Sequence, residues 1–106
     1  MDLSVVVPVF NEQENVEALC RELTDALSRV NIKYEILFVD DGSADATAER
    51  LRRAAESHTH VRVIRFRRNF GQTAAISAGI DYSRGELICL MDGDLQNDPA
   101  DIPRLL

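Results

Sequence analysis

Positive charge is scarce in this chain. Twelve Lys and Arg stand against eighteen Asp and Glu, a formal net charge of −6 over 106 residues. That balance argues against nucleic acid as a partner, since a binder would carry a basic stripe. Lysine is almost missing: Lys33 stands alone, and eleven of the twelve basic residues are arginines, the better fork for phosphate oxygens. Only two cysteines occur, Cys20 and Cys89, both at apolar positions, so buried free thiols are expected, not a disulfide or a metal knot. The N-terminus Met-Asp-Leu-Ser has neither the basic region nor the apolar run of a signal peptide. No stretch approaches the ~20 apolar residues of a membrane-spanning helix. These absences predict a soluble, cytoplasmic chain, and its length allows one domain or a piece of one.

Strands and helices alternate in what remains. Leu3 to Val7 reads as a short buried strand, cut off by Pro8, which a central strand tolerates poorly. Asn11 to Glu14 has the form of a capping box and opens a helix. Val16, Leu19, Cys20, Leu23, Ala26, Leu27 and Val30 form its apolar face. Tyr34 to Val39 predicts a second strand, followed by a helix begun by Ser43 and Asp45 and running through Ala55. Val61 to Phe66 predicts a third strand nearer an edge, Gln72 to Tyr82 a helix of small residues stopped by Gly85, and Leu87 to Met91 a fourth strand. Asp98 and Pro99 have the form of an N-cap and first position of one more helix. Alternation of this kind predicts an α/β sandwich on a parallel sheet with right-handed crossovers.

Parallel sheets bind ligands beyond the carboxyl ends of their strands. Pro8–Glu12, Asp40–Asp45, Arg67–Gly71 and Asp92–Asp98 each follow a strand directly, so the topology gathers them on one rim. Asp92 and Asp94 flank Gly93; on a near-extended backbone their carboxylates share a side, and Gln96 adds a neutral oxygen. Oxygen-only ligation suits Mg²⁺ or Mn²⁺, which completes its shell with water and substrate phosphates. A cation there would let an acidic chain hold a negatively charged diphosphate. The competing reading is an acidic strand-to-helix loop. For Asp40 and Asp41 the competing reading is helix capping, with one of the pair expected to do only that. His58 and His60 fall in the turn before the third strand, on the opposite rim, where a solvated role is expected.

Val5-Val6-Val7-Pro8-Val9-Phe10-Asn11-Glu12, Phe38-Val39-Asp40-Asp41-Gly42-Ser43 and Met91-Asp92-Gly93-Asp94 together resemble glycosyltransferase family 2. Arg68-Asn69-Phe70-Gly71-Gln72-Thr73-Ala74-Ala75 and Asp92-Gly93-Asp94-Leu95-Gln96-Asn97-Asp98-Pro99 are similar to its polyprenyl-phosphate branch, the dolichyl-phosphate mannose synthases and bactoprenol glucosyltransferases. The resemblance implies a Rossmann-like GT-A nucleotide-sugar fold and inverting, metal-assisted transfer of a sugar from a UDP- or GDP-sugar to a polyprenyl phosphate. It implies that Pro8, Phe10 and Glu12 border the base and ribose, that Asp41, with Asp40, accepts hydrogen bonds from the base, and that Arg68 reaches a phosphate. Asp92, Asp94 and Gln96 would hold the Mg²⁺ or Mn²⁺, with Gly93 between them at the donor. Gly71 and Gly79 are expected to serve backbone packing. Family members are considerably longer, so the chain corresponds to a truncated, N-terminal, donor-binding part. Acceptor site, catalytic residues, membrane association at the cytoplasmic face and any oligomer contacts would belong to the remainder. Two rivals stand beside this reading: a noncatalytic nucleotide-sugar-binding module and a phospho-accepting receiver domain. The receiver fits less well, because its acid pair would follow the first strand and no lysine follows Lys33.

Overall fold

The computed structural model describes residues 1–91. Seven elements alternate: β1 (Leu3–Val9), α1 (Val16–Ser28), β2 (Tyr34–Asp40), α2 (Thr47–Ser57), β3 (Val61–Arg65), α3 (Gln72–Tyr82) and β4 (Leu87–Leu90). Every strand pairing is parallel, and the order across the sheet is β3-β2-β1-β4. The expected α/β parallel sandwich is therefore present, with β3 at an edge of the described sheet.

Side chains alternate across β1 and divide the core in two. Leu3, Val5, Val7 and Val9 join Ile36 and Phe38 of β2 beneath α1 and α2, where Leu19, Leu23, Leu27 and Leu51 have no exposed surface. On the other face Val6 and Val39 meet Ala75 of α3. That smaller layer depends on close approach: a Cβ added at Gly79 would lie 2.3 Å from Val6 Cγ1, so α3 rests directly on the sheet. The packing role expected of Gly79 holds, whereas that expected of Gly71 does not: a Cβ there would meet nothing within 4 Å, and what the glycine supplies is its φ of +104. Gly85 does not stop α3, whose C-cap is Ser83; it packs on the backbone of Ser4 instead.

Pro8 does not end β1. The strand runs on to Val9, with Pro8 paired to Val39. The reason lies in the ladder. Val6 O accepts the Met91 N–H on the β4 side, whereas Val9 O accepts the Asp41 N–H on the β2 side. Pro8, in phase with Val6, turns its nitrogen to the side away from β2, so its missing N–H removes no bond to β2.

The opposite rim is fastened by a buried carboxylate. Glu35 accepts from Ser4 Oγ (2.6 Å), Arg62 Nη1 (2.6 Å) and the Arg84 N–H (2.7 Å). Burial pushes its pKa up, but these hydrogen bonds and the Arg62 charge outweigh that, and the net shift is downward. His60 lies on that side, stacked on Tyr34 at 4.2 Å between centroids. Cys20 is a buried free thiol as expected, whereas Cys89 is free but only half-buried; burial raises the pKa of both. Among the described residues no helix is long and apolar enough to cross a membrane.

Candidate functional site

Three loops meet at the carboxyl rim of the sheet, and hydrogen bonds between side chains and backbone fix each to the next. The first follows β1. Asn11 does not open a capping box: it sits at φ +50, a left-handed conformation that Asn tolerates, and α1 begins only at Val16. Its N–H donates to Ser43 Oγ (2.9 Å), and its Oδ1 accepts the Ala44 N–H (2.9 Å). The Glu12 N–H donates to Thr47 Oγ1 (2.9 Å), and the Glu12 carboxylate accepts from Asn15 Nδ2 (2.8 Å). Gln13 Oε1 accepts the Ala46 N–H (3.0 Å), and Arg50 donates to the Gln13 carbonyl. Residues expected to start a helix instead lace the β1 loop onto the β2 loop. Phe10 stands at the tip of this lacing with 45% of its surface exposed.

The adjacent acids Asp40 and Asp41 diverge, as neighbours on an extended chain must. Asp40 closes a tight turn: its Oδ1 accepts both the N–H (3.0 Å) and the hydroxyl of Ser43. Its Oδ2 is buried and, among the described residues, is the buried side-chain oxygen left without a partner. Asp41 points to the α3 face. Asn69 Nδ2 donates to its Oδ2 (3.0 Å), the Phe70 N–H to its Oδ1 (2.8 Å), and the Gly71 N–H to both oxygens, at 3.0 and 3.3 Å. Asp41 thus sits at the start of α3, where a carboxylate is favoured. Neither acid caps α2. The N-cap of α2 is Ala46, and just ahead of it Asp45 Oδ1 accepts the Thr47 N–H (2.9 Å) and hydroxyl. Burial raises the Asp45 pKa, but the Thr47 and Gln13 hydrogen bonds outweigh it, and the net shift is downward. Helix α2 therefore starts at Thr47, later than Ser43.

The third loop follows β3. Gly42, at φ +73, lets it come close: a Cβ there would fall 2.2 Å from the Arg68 carbonyl carbon. The Arg68 guanidinium carbon lies 4.6 Å from the centre of the Phe70 ring, and Phe70 meets Phe66 edge-on at 5.6 Å. Phe66 in turn packs on the Val6–Val39–Ala75 cluster. None of the ion pairs among the described residues involves Arg68.

The rim thus brings together Phe10, Glu12, Asp40, Asp41 and Arg68, with Pro8 half-buried within β1 just below. Asp92, Gly93, Asp94 and Gln96 lie outside the described residues, as does the helix opening at Asp98 and Pro99; β4 delivers the chain to this rim at Met91. Among the described residues no group of three or more His, Cys, Asp and Glu could hold a metal ion. Asn69 enters the sequence reading only as part of the Arg68–Ala75 run, with no role of its own, yet its side chain bridges two rim loops. Its partner is 28 positions away, and no local pattern marks such a pair.

Comparison with known proteins matches this frame. The model of glycosyl transferase family 2 matches residues 4–106. A dodecaprenyl-phosphate galacturonate synthase of Rhizobium johnstonii is 47% identical over 107 residues, which span 100% of this chain and 32% of that protein. An undecaprenyl-phosphate 4-deoxy-4-formamido-L-arabinose transferase of Salmonella choleraesuis is 47% identical over 105 residues, 98% of this chain and 32% of the relative. The chain therefore spans about a third of the length of these curated relatives. Among solved structures, a mannosyltransferase of Pyrobaculum calidifontis in complex with GDP-Man and Mn²⁺ superposes with a TM-score of 0.74 at 25% identity, over 93% of this chain and 29% of the other. The glucosyl-3-phosphoglycerate synthase of M. tuberculosis shares the fold, with a TM-score of 0.74 at 22% identity over 96% of this chain and 38% of the other. The chain belongs to glycosyl transferase family 2.

Proposed function

We propose that this chain is the donor-binding part of an inverting, metal-assisted glycosyltransferase that moves a sugar from a UDP- or GDP-sugar to a polyprenyl phosphate. The observation that carries the reading is 47% identity along essentially the whole chain to two proteins named as polyprenyl-phosphate sugar transferases. The rim supports it. Phe10, 45% exposed, offers a flat face for a base, and Pro8 and Glu12 would border the base and ribose. Asp40, Asp41 and Arg68 contribute polar and cationic groups to the same rim. Asp92 and Asp94, flanking Gly93, with the Gln96 amide oxygen, would hold Mg²⁺ or Mn²⁺; three hard oxygens fit either ion. The ion would neutralise charge that develops on the departing nucleotide diphosphate. A phosphate acceptor is already anionic at neutral pH, so transfer does not demand a strong general base. The polyprenyl acceptor would be met in a membrane, placing the whole enzyme at its cytoplasmic face through segments other than those described.

Because the chain spans a third of its relatives, a second reading follows for the chain alone: it binds the nucleotide sugar without turnover. Calorimetry with UDP- and GDP-sugars, with and without Mn²⁺, on this chain and on Asp94→Ala tests the site. Binding should depend on the metal and be lost in the variant; equal affinity in EDTA overturns the metal assignment. Sugar transfer to a prenyl phosphate separates enzyme from binder.

A further inference from the structure

We propose that the groove between α1 and α2 is a phosphate-binding site, gripped by the guanidinium groups of Arg21, Arg50 and Arg53 and sharing no residue with the donor rim. The two helices present matched faces. On α1, Cys20 and Arg21 lie three and four positions after Glu17; on α2, Arg53, Ala54 and Ser57 lie three, four and seven positions after Arg50. Together with His58, the C-cap of α2, these faces line a cavity of about 330 Å³. That volume falls at the lower end of the range of small-molecule sites. Buried Cys20 and half-buried Ala54 supply the apolar wall between the arginines.

The charge of this groove runs against that of the chain. Carboxylates are in excess overall, with a formal net charge of −6, yet among the described residues three arginines and one carboxylate, Glu17, line the cavity. Elsewhere on the same helices arginines are neutralised. Arg52 pairs with Glu49 at 2.5 Å and with Glu56 at 2.6 Å, and Arg29 pairs with Asp25 at 2.7 Å. The groove arginines are left largely uncompensated. Arg21 has Glu17 four residues before it and Asp25 four after, both within helical reach, and joins neither among the described ion pairs. Arg53 approaches only Glu49, at 3.4 Å, and Glu49 is already held by Arg52. Half-buried Arg50 donates to the Gln13 carbonyl, a neutral acceptor that fixes the side chain without cancelling its charge. Like charges around one cavity repel, and an anion between them removes that repulsion and takes a charge-assisted hydrogen bond from each fork. Phosphate suits the groove because its oxygens surround one centre, so each guanidinium can reach a different one and the Ser57 hydroxyl can donate as well. Arg21, Arg53 and Ser57 are exposed at the mouth, which admits either a soluble phosphate or the phosphate of a lipid headgroup.

Calorimetry of the chain with inorganic pyrophosphate tests the site, in EDTA so that no divalent metal draws the anion to the rim. Saturable binding is expected, weakening as salt is raised. Arg21→Ala and Arg53→Ala, both at exposed positions, should each weaken it about fivefold. Arg29→Ala makes the same charge change outside the groove and should leave affinity within about twofold of wild type. Glu17→Gln removes the opposing carboxylate and should tighten binding about twofold, a gain that a damaged fold would not give. Arg68→Ala should bind pyrophosphate as wild type does. Loss in Arg68→Ala with full affinity in Arg21→Ala and Arg53→Ala would place the anion at the donor rim and overturn the proposal. An equal loss in Arg29→Ala would do the same, since net charge alone would then explain it. Cosedimentation with phosphatidylcholine vesicles, with and without phosphatidic acid, separates the two sources. A headgroup site gives binding only to the vesicles that carry phosphatidic acid, lost in Arg21→Ala; a site for soluble phosphate gives pyrophosphate binding without cosedimentation. A chain that binds neither probe has no such site.

Discussion

Gly79 of α3 lies so close to Val6 of β1 that a methyl group on the glycine would stand 2.3 Å from Val6 Cγ1. Val6 is fully buried between β2 and β4, with no room to retreat. Gly79→Ala gains helix propensity, worth about 1 kcal/mol, but must push α3 off the sheet, which costs about 1–3 kcal/mol. A net loss of stability in urea denaturation is expected. A stabilised variant would show that α3 is not seated as described.

The Glu35 carboxylate should give the chain an acid-sensitive component of stability. Its pKa is lowered in the fold, so its contribution is complete well above the usual glutamate value of about 4.3 and is lost as pH falls through the depressed folded value. Glu35→Gln should flatten the fall in urea midpoint between about pH 5 and pH 3 relative to wild type. Glu35→Ala should cost about 3 kcal/mol at neutral pH, because Ser4 Oγ and the Arg84 N–H lose their shared acceptor and Arg62 its partner. Parallel pH profiles for Glu35→Gln and wild type would exclude the ion pair as the source.

Asn11 joins two roles that substitution can separate. Its left-handed backbone suits Asn or Gly, and its amide oxygen holds the Ala44 N–H. Asn11→Gly keeps the backbone and loses only the hydrogen bond, a cost of about 1 kcal/mol. Asn11→Ala adds about 1 kcal/mol of backbone strain. Thermal denaturation should therefore rank wild type above Gly and Gly above Ala; the reverse order of the two variants would remove strain as a factor.

How far such features can be read beforehand depends on how local their causes are. The face of α1, the apolar run Ile36–Val39 of β2 and the small residues of α3 show in sequence because burial follows period and volume. Pro8 misleads because its tolerance depends on which neighbour its nitrogen faces, a property of strand order. Asn11 misleads because its side chain and its N–H serve residues 33 and 32 positions away instead of its own helix. The acids at the strand ends are visible as a rim, but their division of labour is not: alternation sends Asp40 to Ser43 and Asp41 to a loop some thirty residues on.

Asp40 offers the sharpest separation of fold from function. Its Oδ1 already meets the needs of the Ser43 turn, while its Oδ2 is buried with no partner among the described residues. An unpaired buried carboxylate oxygen costs stability, and a site that keeps one does so for another reason. Asp40→Asn preserves the Oδ1 acceptor and discharges the group. Stability should therefore stay within about 1 kcal/mol of wild type, or rise, whereas affinity for a UDP- or GDP-sugar with Mn²⁺ should fall. If the variant unfolds more easily and binds as well as wild type, the carboxylate is only a turn-former. If it is as stable as wild type and binds more weakly, the unpaired oxygen is what the donor site retains at the expense of the fold.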